Sequence, residues 1–201
     1  IDLRFLPLSL LIIFCLVFLI QIIYYWLIFW RLGRYRNKSN GERQTGISIV
    51  ICAHNEHENL RENLPFILEQ NYPEFEVLIV DHASDDDTEF LLACFEEKYP
   101  NLKTISIKED LNFFSGKKFP LSIGIKSARY DHVLLTDADC RPASTEWISS
   151  IQSGFTKEKE IVLGYGPYNK RKGLLNKLIR FDTAHIAIQY LSFALSGMPY
   201  M

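Results

Sequence analysis

The sequence predicts an α/β fold with a largely parallel sheet, preceded by an apolar helix. Two observations carry this prediction. Short β-branched runs alternate with segments of helical periodicity between residues 47 and 137, and apolar residues concentrate at the N-terminal end. Strands that alternate with helices are typical of parallel sheets. Lys and Arg number 22 against 24 Asp and Glu, and this balance argues against nucleic acid as a partner.

The N-terminal segment, residues 5–30, contains no charged side chain. A helix needs about 20 apolar residues to cross a bilayer. The apolar part of a cleaved signal peptide usually has only about 7–15 residues. We therefore expect a retained transmembrane helix with membrane lipids as partners. Aromatic residues near its C-terminal end are typical of a membrane interface; they are Tyr24, Tyr25, Trp26 and Trp30.

Basic residues around this segment predict its orientation. Only Arg4, beside Asp2, precedes it, whereas five basic residues follow it: Arg31, Arg34, Arg36, Lys38 and Arg43. The positive-inside rule then places the rest of the chain in the cytosol. Four cysteines without metal-ligand spacing agree with reduced cytosolic thiols. The predicted organisation is a single-pass anchor with its basic flank over 1–36, a polar linker over 37–46 and a globular domain over 47–201.

Strands are predicted where short β-branched and apolar runs occur, over 47–53, 75–81, 102–107 and 133–136. The first run reads as a strand buried on both faces.

Helices are predicted between these strands. Asn55 is a candidate cap for the first helix, with Glu58 three residues later as in a capping box, and this helix should stop before Pro73. Ser84 is expected to start the second helix, with an apolar stripe made of Phe90, Leu91, Cys94 and Phe95. Pro120 suits the first turn of the third helix, which should run to about residue 128. The apolar stretch 174–195 is read either as an interfacial helix or as a core helix.

Polar residues follow three of the predicted strands. In an open α/β sheet, ligands bind outside the carboxyl ends of the strands. The first strand leads into residues 53–56, the second ends in Asp81, and the fourth leads into Asp137 and Asp139. Two carboxylates that leave an apolar strand repel each other unless a cation lies nearby, and such hard oxygen ligands suit Mg²⁺ or Mn²⁺. The alternative interpretation is a pair of solvated turn residues.

Two further charged groups lie at the N-termini of predicted helices. Residues 85–87 are three aspartates, expected to stabilise a helix N-terminus through its dipole. Gly116, Lys117 and Lys118 precede another helix N-terminus, which is a natural anion site. A solvated basic turn is the alternative for this second group.

Taken together, residues 47–147 resemble the large inverting glycosyltransferase family that includes cellulose, chitin and hyaluronan synthases, glycosyltransferase family 2. Its nucleotide-sugar fold, GT-A, is Rossmann-like. Four segments carry the resemblance, each with its family pattern: AHNE at 53–56 (A-x-N-E), VDHASDDDT at 80–88 (V-D-D-G-S-x-D-x-T), GKKFPLSIGIKSA at 116–128 (G-K-x-x-A-L-N-x-G-I-x-x-A) and LLTDADC at 134–140 (L-D-A-D). His82, Ala83 and Ser122 depart from these patterns, where the family has Asp, Gly and Asn.

This resemblance implies a donor site and a metal site. The uridine end of the donor would be lined by Ala53, Asn55, Glu56 and Asp81. Lys117 would lie near the donor, Asp137 near the ribose and diphosphate, and Asp139 would be the direct ligand of Mg²⁺ or Mn²⁺.

The implied activity is transfer of a sugar, with inversion, from a nucleotide-diphosphate donor, expected to be a uridine-diphosphate sugar. The acceptor would be a glycan or a lipid-linked sugar. The family's general base follows the D-x-D element by about a hundred residues, so the base is expected beyond Met201 and the domain is interpreted as incomplete.

Three alternatives stay open at this point. A haloacid-dehalogenase-like phosphotransferase also uses a D-x-D motif, although after its first strand. A membrane-tethered nucleotide-sugar binding protein would share the donor site but lack transferase activity. A structural membrane protein would leave the acidic strand ends unexplained.

Overall fold

The structure is a computed structural model that describes residues 6–36, 45–108, 116–156 and 159–200. The chain divides into two compact units, one formed by 38–162 and the other by 1–37 together with 163–201. Most of the predicted linker lies outside the described residues, as do Asp2, Arg4, Lys38 and Arg43. The division into 1–36, 37–46 and 47–201 therefore stays a prediction.

The unit that contains the N-terminus is built on two helices, α1 (Leu6–Arg34) and α6 (Leu174–Leu195). Within residues 8–34 of α1, an 18-residue window has a mean hydropathy of 2.6. This helix is therefore long and apolar enough to cross a membrane. The two helices contact each other through aromatic rings. Tyr24 and Phe193 have centroids 6.1 Å apart, and those of Phe29 and His185 are 6.4 Å apart.

The second unit is built on a four-stranded parallel sheet, which confirms the predicted α/β class. Its strands are β1 (Ile47–Ala53), β2 (Phe75–His82), β3 (Leu102–Ile107) and β4 (His132–Asp137), in the order β3-β2-β1-β4. The central strands β1 and β2 are almost wholly buried. Burial on both faces explains why their sequences are continuous apolar runs and not alternating ones.

Helices cover both faces of this sheet: α2 (His57–Leu68), α3 (Thr88–Lys98), α4 (Lys118–Ser127) and α5 (Trp147–Gln152). On one face, Ile49 and Ile79 share a buried core with Leu64 of α2, Leu92 of α3 and Ile148 of α5. On the opposite face α4 packs on β1 and β2. Alternate side chains of one strand thus enter two different cores.

A glycine brings α4 unusually close to the sheet. A Cβ placed on Gly124 would lie 2.4 Å from Cγ1 of Val50 and 3.1 Å from Cγ2 of Val80. Beyond the C-terminal end of α4, the carboxylate of buried Glu76 accepts hydrogen bonds from the Ser48 hydroxyl and the Arg129 N–H, each at 2.6 Å. The connection from α4 to β4 is therefore held against β2 at Arg129.

Two predicted helix starts are wrong. α2 begins at His57, with Glu56 at the N-cap and no side-chain capping bond, so Asn55 and Glu58 form no capping box. α3 begins at Thr88, and Ser84 lies in the preceding loop. Asn55 and Ser84, the two predicted caps, instead form hydrogen bonds between the loop after β1 and the loop after β2.

The predicted apolar stripe of α3 is also partly wrong. Phe90 is 73% exposed and Cys94 is exposed, whereas Leu92 is fully buried. Leu91 and Phe95 pack at the border of the core, as predicted. The side of α3 that faces the sheet is therefore formed by Leu91, Leu92 and Phe95.

Candidate functional site

The carboxyl ends of three strands meet at one edge of the sheet. Ala53 at the end of β1 pairs in register with Asp81 of β2, and Cys52 pairs with Asp137 of β4. Four of the predicted site residues therefore lie on or next to this edge: Ala53, Asn55, Asp81 and Asp137. Because β4 joins β1 on the side opposite β2, the edge includes the point where the strand order reverses, and open α/β sheets bind ligands there.

The loops after β1 and β2 are held together by side chains. The Asn55 N–H donates to the Ser84 hydroxyl at 2.9 Å, and the Asn55 side-chain oxygen accepts from the Asp85 N–H at 2.7 Å. The Glu56 N–H donates to the hydroxyl of Thr88 at 3.2 Å. These cross-loop bonds fix the backbone around the predicted base-binding residues.

Two residues of these loops have left-handed backbone conformations. Asn55 has φ of 57° and Ala83 has φ of 50°. Asparagine tolerates this region well, but for alanine it costs roughly 1–2 kcal/mol. Glycine would adopt this conformation without that cost, because it has no Cβ.

Asp81 is nearly enclosed, with 3% of its surface exposed. One of its carboxylate oxygens accepts a hydrogen bond from the Ser84 hydroxyl at 2.5 Å. An open cleft of about 280 Å³ lies beside the two loops, and its lining comprises Asn55, Glu56, His57, Glu58, Asn59, Asp86 and Asp87. Glu56, a predicted donor residue, accepts a hydrogen bond from the Asn59 amide at 2.6 Å.

Asp86 also joins the two loops, because its carboxylate accepts from the His57 N–H at 3.2 Å and from the Thr88 N–H at 3.0 Å. Burial raises the pKa of this carboxyl, but the hydrogen bonds from Thr88 and His57 outweigh burial and lower it below its usual value. The aspartates 85–87 do lie at the start of α3, as predicted, and Asp86 additionally contacts the start of α2.

Lys117, at the N-cap of α4, reaches the end of β4. Its Nζ lies 2.8 Å from a carboxylate oxygen of Asp137. The hydrogen bond to Asp137 raises the pKa of Lys117, with further contributions from the charges of Asp137, Asp139 and Glu56. Since both partners are largely exposed, this ion pair adds little stability, and its charges remain accessible to a ligand.

A second, smaller cleft of about 160 Å³ adjoins this ion pair, and its lining comprises Cys52, Lys117, Leu121, Leu135, Thr136 and Asp137. Burial raises the pKa of the Cys52 thiol, while the charge of Lys117 acts in the opposite direction. Both apolar and charged side chains thus line this cleft.

One group of potential metal ligands is present among the described residues, formed by Asp137, Asp139 and Cys140. One ligand atom from each lies within 4.8 Å of the other two. Burial raises the pKa of the Cys140 thiol, and a protonated thiol is a poor metal ligand. The carboxylates are hard oxygen donors and fit Mg²⁺ or Mn²⁺. Asp137 is paired with Lys117, whereas a carboxylate oxygen of Asp139 accepts a hydrogen bond from the Cys140 thiol at 3.6 Å.

The sequence analysis missed three residues that shape the site. Ser84, Asp86 and Thr88 hold the loops together. The sequence pattern predicts Ser84 as the start of α3 and Asp86 as a residue that stabilises the helix dipole. Their hydrogen bonds join parts of the chain about thirty residues apart, and no local pattern reveals such pairs.

Comparison with protein families gives one match that covers most of the chain. The profile of glycosyl transferase family 2 matches residues 48–194. This match includes every predicted donor and metal residue.

Individual relatives agree with this match. A poly-beta-1,6-N-acetyl-D-glucosamine synthase from Staphylococcus epidermidis is 33% identical over 51% of this chain and 24% of its own length. A probable glycosyltransferase, YdaM from Bacillus subtilis, is 27% identical over 77% of this chain and 37% of its own length. The chain therefore spans between a quarter and two fifths of these relatives.

Among solved structures, a mannosyltransferase from Pyrobaculum calidifontis in complex with GDP-Man and Mn²⁺ is similar to this chain. It superposes with a TM-score of 0.57 and 25% sequence identity, over 65% of this chain and 39% of the other. The fold expected from the family resemblance is thereby confirmed.

Proposed function

Because the chain belongs to glycosyl transferase family 2, we propose that it binds a nucleotide-diphosphate sugar and a divalent cation at the carboxyl edge of its sheet. The observation that carries the proposal is the arrangement at the end of β4, where Asp137 is paired with Lys117 and Asp139 lies two residues further on. A cationic amine next to a carboxylate pair suits a metal-bound diphosphate, because the amine and the cation share its negative charge.

Each predicted residue has a place in this proposal. Asp139 binds Mg²⁺ or Mn²⁺ directly, Asp137 lies near the ribose and diphosphate, and Lys117 donates to the diphosphate. The similar mannosyltransferase was solved with both GDP-Man and Mn²⁺, which supports a metal-dependent donor site here.

The base end of the donor is proposed to lie against the loops after β1 and β2. Ala53, Asn55, Glu56 and Asp81 line this end in the proposal. The cross-loop bonds of Asn55 hold these loops in place before the donor binds, so little ordering entropy is lost on binding. A uridine-diphosphate sugar is the donor we expect.

The proposed reaction is a direct displacement that inverts the anomeric carbon of the donor. The bond from that carbon to the diphosphate breaks while a bond to the acceptor oxygen forms, and a carboxylate general base removes the proton of the acceptor hydroxyl. The cation supplies Lewis-acid stabilisation of the leaving diphosphate. Lys117 adds a hydrogen bond to the same charge. The acceptor is proposed to be a glycan or a lipid-linked sugar.

The membrane location is part of the proposal. α1 is proposed to span the bilayer, with the residues after Arg31 in the cytosol, where the donor is expected. Ser39→Cys, in a chain whose native cysteines are replaced by serine, tests the orientation. An impermeant maleimide should label it only after the cells are opened, and labelling of intact cells would reverse the orientation.

The activity is tested with the natural full-length protein in membranes. Radiolabelled nucleotide sugars are supplied with Mn²⁺, and transfer to glycan or lipid is compared among wild type, Asp139→Asn and the control Asp131→Asn. Asp131 is an exposed aspartate that precedes β4 and therefore lies at the opposite edge of the sheet. Transfer should be lost only in Asp139→Asn. Donor binding without transfer by wild type would favour the binding-protein alternative.

A further inference from the structure

The apolar face of α6 has no protein partner among the described residues over much of its length. Leu174, Leu178 and Phe181 are 73%, 55% and 71% exposed. Their spacing of four and three residues places them on one side of the helix, and Phe181 continues the row by stacking on His185 with centroids 6.0 Å apart. Three large side chains in one exposed row form a patch that water solvates poorly.

Basic residues lie immediately before this face. Lys170, Arg171 and Lys172 are exposed, and Lys177 follows within the first turns of α6. Asn176 holds this basic triplet (170–172) in place, because its side-chain oxygen accepts from the Arg171 N–H at 2.8 Å and its amide donates to the Asn169 carbonyl at 3.2 Å. Cations are unfavourable at a helix N-terminus, so the stability of α6 itself does not account for the triplet.

The remaining part of α6 packs on α1 at the level of its aromatic residues. Phe29 contacts His185, and Tyr24 contacts Phe193. Tyr24 lies in the aromatic group that the sequence analysis assigned to the membrane interface, and such rings sit among the lipid headgroups. Since α6 contacts α1 at this level, its exposed face lies where the span leaves the bilayer.

We propose that α6 is a membrane-surface helix whose apolar row enters the headgroup region and whose basic triplet binds anionic headgroups. An apolar face bordered by lysine and arginine is the usual character of such helices, and anionic lipids attract cations close to the surface. This proposal rests on the proposed membrane span of α1 but not on donor binding or sugar transfer. In this proposal the bilayer covers the exposed apolar row of α6. The alternatives are that a second copy of the chain, or polypeptide from outside residues 1–201, covers it.

Spin labels test the proposal in the whole chain, reconstituted into vesicles of phosphatidylcholine and phosphatidylglycerol after replacement of its native cysteines by serine. Single labels are placed at Leu178→Cys and Phe181→Cys in α6, at Leu16→Cys in α1, and at Phe90→Cys on α3 as an exposed control. Accessibility to oxygen, which concentrates in the bilayer, is compared with accessibility to a water-soluble nickel chelate.

The labels at 178 and 181 should be more accessible to oxygen than to nickel, as at 16, whereas the label at 90 should show the reverse. Replacing the triplet by glutamine should shift 178 and 181 toward nickel accessibility, and vesicles of phosphatidylcholine alone should do the same.

Two outcomes would overturn the proposal while leaving the span intact. Nickel-accessible labels at 178 and 181, with an oxygen-accessible label at 16, would place α6 in water. Immobile labels that neither reagent reaches would show a protein occupant. A nickel-accessible label at 16 would show that α1 does not lie in the bilayer, and this proposal would then fail together with the proposed span.

Discussion

Replacing Gly124 by alanine tests how closely α4 must approach the sheet. The added Cβ would lie 2.4 Å from Cγ1 of Val50, whereas carbon atoms normally stay about 3.5–4.0 Å apart. The overlap exceeds 1 Å, and Val50 is a buried β-branched residue with restricted rotation. Alanine gains about 1 kcal/mol of helix propensity over glycine, but overpacking of this kind typically costs about 1–3 kcal/mol.

We therefore expect Gly124→Ala to lower the free energy of unfolding by about 1 kcal/mol. Val50→Ala removes the clashing atom, so in that background the same substitution should become stabilising by up to about 1 kcal/mol. Urea denaturation of the four proteins gives the coupling energy, expected to be about 1–3 kcal/mol. A coupling energy below about 0.3 kcal/mol would refute the close approach. Because Lys117 lies at the start of α4, a displaced helix should also weaken donor binding.

Three other predictions concern the loops and the charges of the site. Ala83→Gly should raise the free energy of unfolding by about 0.5–1 kcal/mol, because it relieves a left-handed alanine. The control Ala93→Gly, within α3, should lower it by about 1 kcal/mol. Urea denaturation measures both changes, and two changes of the same sign would contradict the strain at Ala83. Asp86 has a lowered pKa, so its contribution to stability is present above the unfolded value of about 3.9 and is lost as the pH falls through the folded value. Asp86→Asn should therefore destabilise the chain at pH 7 but no longer below that lowered pKa, and a difference independent of pH in denaturation curves would disprove this account. Lys117→Met should weaken uridine diphosphate binding by roughly 10–100-fold in calorimetry, because it removes a charge-assisted hydrogen bond, while Lys118→Met should change it little; equal losses would indicate a general charge effect.

The sheet could be predicted because its signal is local. Residues 47–53 and 75–81 are continuous apolar runs, and such runs in parallel sheets are buried on both faces. The acidic strand ends followed from the same reasoning, because parallel strands bring their carboxyl ends to one edge.

The helix starts could not be predicted, because they depend on contacts between distant parts of the chain. Asn55 and Ser84 have the composition of helix caps, but each bonds to the other's loop. A side chain that satisfies a distant N–H looks, in sequence, the same as one that satisfies the next helical turn. The ion pair between Lys117 and Asp137 is likewise a contact across twenty residues, and only the family resemblance placed both residues near one ligand.

The most direct test of the central claim is calorimetric titration of the 201-residue chain with uridine diphosphate, in the presence and absence of Mn²⁺. Wild type and Asp131→Asn should bind the nucleotide more tightly when Mn²⁺ is present, because Asp139 would hold the cation and its positive charge would favour the diphosphate. In Asp139→Asn, folded as judged by circular dichroism, Mn²⁺ should no longer strengthen binding. An undiminished Mn²⁺ effect in Asp139→Asn would contradict the assignment of the metal site to the end of β4.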